Sequence, residues 1–451
     1  MAFENPPRIL SINTSDLLVE LRDPMPRRNL RILLVISLLA LLCQRKFSYE
    51  GATFVRALDE IHDHYLEPVD RQVLLHAALR GMTARLDPYS EYIPPREFTE
   101  LEQSLEQHFG GVGIQIGLDP ETKQLIVISP MVNTPAYRAG VLAGDRIIKI
   151  DGKSTIDFTI EDAANLLRGK PGTEVTITVI HVGEEKPTDI KITRAVIEIE
   201  TVLGDTHTTE GKWNFTLPEH RGIAYIRIVQ FGKQTVEELK KTLDELTASG
   251  MKALVLDLRN DPGGLLEQAV GVCNLFIKEG LIVSTRGRGG VEREALYADG
   301  TAPYAELPMA VLINNYSASA SEIVAACLQD SKRAVIVGER SWGKGSVQNL
   351  IPLEGGRSAL KLTTLSYWRP SGKNIHRLDD APESEDWGVV PDEGFEVKLD
   401  KEQFERLMKF RRERDVIRRE PTAQATNGEL YEADPQLKRA VEYLVGSDLS
   451  G

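Results

Sequence analysis

The sequence is short of the groups that build metal and redox sites. It has three cysteines and eight histidines in 451 residues. Cys43, Cys273 and Cys327 form no C-x-x-C pair, and the histidines are scattered, so neither a disulfide framework nor a zinc site is indicated. His62 and His64, in "HDH", lie in a polar helical stretch and read as solvated. Cys273 and Cys327 sit in apolar helical patterns, as buried free thiols do. Positive charge is also in deficit. Lys and Arg number 54 against 67 Asp and Glu, a net charge of −13, which argues against a broad nucleic-acid footprint. A long apolar run is missing too. Ile32–Cys43 falls short of the roughly 20 residues of a membrane span and fits a signal h-region better. It is flanked by Arg27, Arg28 and Arg31, then by Arg45 and Lys46. No small-x-small cleavage site follows it, and Leu42 stands where a lipoprotein site wants a small residue. The expectation is an export signal that stays uncleaved as a membrane anchor. The competing reading is a buried core helix, but nothing before Asn29 resembles a fold that could bury it.

Hydrophobic residues make up 41% and charged residues 27% of the chain. That is the composition of a globular protein, long enough for about two or three domains. Residues 1–47 are a polar leader plus the apolar run. Residues 48–108 read as helical, with Phe54, Leu58, Ile61 and Tyr65, then Leu75, Leu79, Met82 and Leu86, at helical spacing. Residues 109–197 change to short strands with two helices, a compact β-rich module. Val175, Ile177 and Val179 alternate in one strand, and Thr159 with Asp162 opens a helix in capping-box spacing. Successive N–H groups at Gly111, Val112, Gly113 and Ile114 can form a nest for an anion such as a peptide carboxylate. A glycine turn entering a strand is the plainer alternative.

Residues 198–400 read as α/β. "KALVLDLR" and "PMAVLINN" each carry a continuous apolar run, as strands buried on both faces do. Thr235 and Glu238 are spaced as a capping box, and Gly250 stops that helix. Strand–loop–helix repetition favours a largely parallel sheet. Residues 401–451 are a charged helical tail, with Asp434 and Pro435 at the start of its last helix.

Two loops follow strands, where ligands meet α/β sheets. In "DLRNDPGG" the N–H groups of Gly263 and Gly264 can point at an oxyanion, although a tight turn needs the same glycines. In "NNYSASASEIVAACLQD" the serines occupy a strand-to-helix turn, the setting of a nucleophile elbow. Ser319 and Glu322 are also spaced as a capping box, which would make that serine structural. No histidine is within reach to activate a serine. Lys344 of "VGERSWGKGSVQ" is the candidate base. A lysine acts as a base only when neutral, and lowering its pKa from about 10.4 to about 7–8 costs roughly 3–4 kcal/mol, usually through burial. In an extended "KGSVQ", Lys344, Ser346 and Gln348 share a face, so Gln348 could hold the amine. Gly338, Gly343 and Lys344 also match most of a P-loop. A P-loop continues with Ser or Thr and a helix, whereas Gly345 and a strand-like run follow here.

"SASASE", "GERSWGKGSVQ" and "DLRNDPGG", behind a module that resembles a PDZ domain, together resemble the carboxy-terminal processing (tail-specific) proteases. The likeness runs from about Phe47 to Glu396 and includes "LDPYSEY", "FGGVGI", "GDRIIKIDG", "GKNI" and "GVVPD". It implies a mixed α/β multidomain chain with N-terminal helices, a PDZ-like domain, an α/β protease core with a largely parallel sheet, and a helical tail. It also implies a Ser–Lys endopeptidase that needs no metal or cofactor and acts on proteins with exposed C-terminal tails. Ser319 would be the nucleophile, Lys344 the base and Gln348 its orienting partner. Ala320 N–H and Gly263 or Gly264 would form the oxyanion hole, and Gly111 to Ile114 would bind the tail's carboxylate. The catalytic part would lie on the extracytoplasmic side. Two positions depart from the family's pattern: Asp261 where Asn is commoner, and Tyr316 where many members have Gly. A PDZ scaffold that binds tails without cutting them is the alternative.

Overall fold

The computed structural model describes residues 49–446 apart from 209, 219, 379–380, 383–384 and 418–426, with isolated positions at 32, 34 and 37. The run Ile32–Cys43 thus lies, but for those three positions, outside the described residues. Among the described residues no helix is long and apolar enough to cross a membrane. The chain forms two units, Met1–Met82 and Thr83–Gly451. In the first, α1 (Tyr49–His64) and α2 (Arg71–Thr83) are joined by an Arg71–Asp59 ion pair of 2.6 Å. His62 meets the Val69 carbonyl and His64 meets Glu60. No cluster of metal-ligating side chains occurs among the described residues.

The second unit opens with β1 (Glu91–Ile93), α3 (Pro95–Leu105) and β2 (His108–Gly111). An antiparallel sheet follows, built from β3 (Ile114–Leu118), β4 (Leu125–Pro130), β5 (Arg146–Ile150), β6 (Glu174–Ile180) and β7 (Thr188–Thr193), in that spatial order. α4 (Pro135–Arg138) and α5 (Ile160–Leu167) pack on it. Strict alternation turns Val175, Ile177 and Val179 inward. Asp162 completes the capping box at α5. It accepts Thr159 N–H at 3.0 Å and donates its own N–H to Thr159 Oγ at 3.1 Å. β8 (Ala195–Glu198) returns to pair with β2.

The larger part of this unit carries β9 (His220–Ile228), α6 (Thr235–Ala248), β10 (Ala253–Asp257), α7 (Leu266–Phe276), β11 (Leu281–Arg286), β12 (Glu292–Tyr297), β13 (Met309–Ile313), α8 (Ala320–Asp330), β14 (Val335–Gly338), β15 (Ser346–Leu353) and β16 (Ser358–Trp368). β9, β10, β13 and β14 run parallel in that order. Every residue of β10 and β13 is buried, because both faces of this sheet are covered. Leu239 and Leu243 of α6, with α7 and α8, cover one face. The tail covers the other. α9 (Lys401–Asp415) leads to α10 (Asn427–Ala433) and α11 (Pro435–Gly446), and Leu430, Leu437, Val441 and Leu444 pack on that face. Helical periodicity alone showed a charged tail, not what it covers. A second, antiparallel sheet orders β1, β16, β11 and β12, with β15 also on β16.

The expected capping box at α6 does not form. Gln234 is the N-cap, and Glu238 turns instead to Thr201 N–H at 2.9 Å and Gln107 Nε2 at 2.9 Å. The tail is fastened by buried charge. Arg259 reaches Asp434 at 2.7 Å and 2.8 Å, Gln436 at 2.9 Å, and Asp257 at 2.6 Å. Such a pair holds only with both partners present, since a lone buried charge is strongly destabilising.

Candidate active site

The parallel register of β10 and β13, with Asp257 opposite Leu312, sets their carboxyl ends side by side. The two loops singled out in the sequence therefore meet. The 258–264 loop enters α7, and the 314–319 turn enters α8. Ser319 has φ 57° and ψ −113°, a left-handed backbone that a non-glycine residue adopts only when its surroundings enforce it. The enforcement is visible. Ala318 N–H donates to the Asp261 carbonyl at 3.0 Å, and Glu322 accepts Ser319 N–H at 2.8 Å.

The three serines separate by environment. Ser317 Oγ donates to the Leu258 carbonyl at 2.8 Å, and Ser321 Oγ to the Asp261 carbonyl at 3.1 Å. Both are fully buried, whereas Ser319 keeps 8% of its surface. The flanking serines are thus stitches to the glycine loop. The Ser319–Glu322 capping box is in place, with Glu322 accepting Ser319 N–H at 2.8 Å, but the Ser319 hydroxyl, although it faces the Glu322 N–H, makes no well-formed cap hydrogen bond. The Ser319 backbone is not in the extended conformation that an N-cap uses. Its Oγ stays beside the buried Tyr367 phenol, whose pKa burial pushes up to about 12.

Gly263 and Gly264 both have positive φ, 96° and 152°. A methyl on Gly263 would lie 2.8 Å from Ala320 N and 2.8 Å from Ser319 Cβ, so this glycine abuts the elbow. Its own N–H is engaged by Asp261 Oδ1 at 2.8 Å. The Gly263 carbonyl accepts Phe231 N–H at 3.0 Å. In a trans peptide the next N–H points the opposite way, so Gly264 N–H faces away from Phe231. Ala320 N–H, at the first position of α8, has no intrahelical acceptor.

Lys344 lies in the loop between β14 and β15. Its Nζ sits 5.4 Å from the centre of the Tyr89 ring. Burial is the main cause of a pKa below the usual lysine range, and Lys361 adds to it. Glu322 and Glu91 oppose the shift. Glu322 makes the cap contact that the spacing suggested, and three further contacts that it did not. Fully buried, it accepts Ser319 N–H, Ser341 Oγ at 2.5 Å, Gly343 N–H at 2.7 Å and Lys344 N–H at 2.8 Å. One carboxyl thereby fixes the elbow to the lysine loop. Burial raises its pKa, and the four donors work the other way.

Gln348 makes its side-chain hydrogen bonds within the sheet. Its Nε2 donates to Ser346 Oγ at 2.8 Å and lies 3.3 Å from Thr363 Oγ1. Thr363 in turn bonds Asp87 of "LDPYSEY" at 3.1 Å. β15 starts at Ser346 and its pairing with β16 is irregular between Val347 and Gln348. The P-loop alternative lacks its helix, since β15 follows the lysine loop.

In the β-rich module, Gly113 has φ 79° and packs against Thr134. The Val112 and Gly113 carbonyls accept Ala136 N–H at 2.9 Å and Met131 N–H at 3.0 Å. By the same trans-peptide geometry, the N–H groups of Gly113 and Ile114 point away from that loop. β3 is an edge strand of its sheet, and α5 packs close to it.

A serine at a strained strand-to-helix turn on a parallel sheet, joined through Glu322 to the loop of a half-buried lysine, is an arrangement that suits a serine-type peptidase. The profile of peptidase family S41 matches residues 222–393, and that of the PDZ domain matches residues 126–180. The carboxy-terminal-processing protease of Bartonella bacilliformis is 39% identical over 373 residues, 81% of this chain and 82% of that protein. The carboxyl-terminal-processing protease of a Synechocystis species is 33% identical over 74% of this chain and 73% of its own length. The solved photosystem II D1 C-terminal processing protease is 28% identical, covering 78% of this chain and 94% of that one, with a TM-score of 0.43. The chain belongs to the carboxy-terminal processing protease family.

Proposed function

We propose that the chain is a Ser–Lys endopeptidase that cleaves exported proteins near their C-terminal tails. The observation that carries this reading is the separation of the three serines. Ser319 alone sits at the strained elbow with a hydroxyl not bonded into the glycine loop. Lys344, neutral when it has lost its proton, takes the Ser319 Oγ proton as that oxygen attacks a backbone carbonyl. Ala320 N–H and Gly264 N–H hold the developing oxyanion, while Gly263 closes the loop against the elbow. The protonated lysine then gives its proton to the leaving amine, and water hydrolyses the ester by the reverse path. Gln348 would steady the amine only after its amide leaves Ser346 and Thr363.

The PDZ module would gather the tail. An extended peptide adds to the β3 edge beside α5, with its carboxylate at the Gly111–Val112–Gly113–Ile114 turn. Peptide mapping after fluorophosphonate treatment should place the adduct on Ser319. A peptide with a free C-terminal carboxylate should be cleaved about tenfold or more faster than its amide, the loss expected when a charge-assisted bond is removed. An adduct elsewhere, with equal cleavage of the two peptides, would contradict the reading.

The apolar run Ile32–Cys43 would serve as an uncleaved anchor, leaving the catalytic part outside the cytoplasm. The protein is then expected to remain in membranes washed with alkaline carbonate. Release by that wash would refute the anchor.

A further inference from the structure

Asp261 is a carboxyl placed where a negative charge would do most harm. Its side chain is fully buried. Oδ1 accepts Gly263 N–H at 2.8 Å, whereas Oδ2 is buried with no hydrogen-bond partner among the described residues. Its main-chain carbonyl accepts Ala318 N–H at 3.0 Å and Ser321 Oγ at 3.1 Å, on either side of Ser319. The carboxyl is therefore one hydrogen bond from a glycine that abuts Ser319 Cβ and Ala320 N.

Among the described residues no cation pairs with it. Arg259, in the same loop, is committed to Asp257, Asp434 and Gln436. From the segment after β9, Phe231 packs on the glycines, and the next cation, Lys233, pairs with Glu106. From α8, Glu322 faces Ser341, Gly343 and Lys344. From α9 it is Met408 that reaches the loop, at Asn260. Lys344 Nζ lies near the Tyr89 ring. A buried carboxylate with one N–H donor and no counter-charge takes up a proton instead. Burial accordingly drives the Asp261 pKa well above the usual carboxyl range; the Gly263 N–H and the nearby Ser321 hydroxyl, which is bonded to the Asp261 main-chain carbonyl, pull the other way without cancelling it.

We propose that Asp261 is a positioning residue that works as a neutral carboxylic acid, fastening Gly263 against the elbow, and that its ionisation switches the site off. An anion there would repel the oxyanion across a poorly screened interior. This rests on the Ser319–Lys344 reading, and it gives the enzyme two limbs. Activity rises with pH as Lys344 loses its proton and falls as Asp261 loses its own.

The test compares Asp261→Asn with the wild type. Asparagine keeps the Oδ1 acceptor and cannot ionise. The rate of Ser319 labelling by a fluorophosphonate is followed from neutral to strongly alkaline pH. The variant should stay within about threefold of the wild type at neutral pH and lose the alkaline fall. Asp261→Ala, which lacks the acceptor, should label slowly at every pH. A second measurement is thermal unfolding. The folded pKa is raised, so the stability tied to the neutral acid is complete below the ordinary carboxyl range. It is lost as pH rises through the folded value. Wild type should therefore melt progressively below the Asn variant as pH rises, with the gap closing in acid. Coincident labelling profiles and pH-independent melting differences would overturn the inference while leaving the nucleophile assignment standing. Absence of labelling at Ser319 in every form would overturn that assignment, and this inference with it.

Discussion

Ser319→Ala is expected to lower peptide cleavage by about 10⁴–10⁶-fold, the scale seen when the nucleophile of such a unit is removed. Lys344→Met should cost a similar factor, because the two groups act together and their losses do not add. Both variants should still bind tail peptides, since the β3 edge is built from other residues. Lys344→Met should also melt no lower than the wild type. It removes an amine whose burial disfavours its charge and keeps the apolar stem. The lysine's depressed pKa has a sign that can be checked. With Lys344 as the proposed base, its neutral form appears at lower pH than for a solvated lysine, and the acid limb of kcat/KM is expected to follow it. Lys361 contributes to that depression and Glu91 opposes it; the two form an ion pair of 2.8 Å. Lys361→Met removes a like charge and leaves Glu91 unpaired, so the acid limb should move to higher pH. A limb that stays in place would assign it to another group. Residual cleavage above about 1% in either Ser319→Ala or Lys344→Met would remove that residue from the catalytic pair.

Gly263→Ala is the second large effect. The added methyl would lie 2.7 Å from the Ala318 carbonyl and 2.8 Å from Ala320 N. Both are backbone atoms held by the elbow, so neither can swing aside. The residue must also keep φ at 96°, which strains any side chain. A fall of about 10²–10³-fold in kcat is expected, as for loss of an oxyanion donor, together with roughly 1–3 kcal/mol of stability. Gly250→Ala is the control. It has φ 90° but nothing near the added methyl, so it should cost about 1 kcal/mol and no activity. Equal kinetic effects at the two glycines would mean that general destabilisation, not the elbow contact, explains the loss.

Much of this site was legible before the structure. Apolar runs such as "KALVLDLR" marked doubly buried strands, and loops at their carboxyl ends marked the place for chemistry. The resemblance singled out the middle serine, which spacing could not do. The reason is now physical: the hydroxyls of Ser317 and Ser321 are bonded to carbonyls about 60 residues earlier in the chain, a relation no local pattern contains. Glu322 makes the expected cap contact, but its wider role was not legible for the same cause. A capping box is a short-range rule, and three of the four donors to this carboxyl come from Ser341 to Lys344. Glu238 shows the same limit, since its partners Thr201 and Gln107 lie far from the helix start.

The Arg259–Asp434 bond bears on the order in which the protein becomes an enzyme. Translation runs from the N-terminus, so Ser319 and Lys344 emerge well before Asp434 and Gln436 do. Until α11 is made, Arg259 has no outer partner, and the loop that starts beside it is fastened at one end only. The apolar face that α11 covers is bare as well. A nascent chain that already carries Ser319 and Lys344 therefore still lacks contacts that fix the 258–264 loop beside Ser319. With Ser319 and Lys344 as the proposed catalytic pair, the site is expected to be complete only once the last helix is in place.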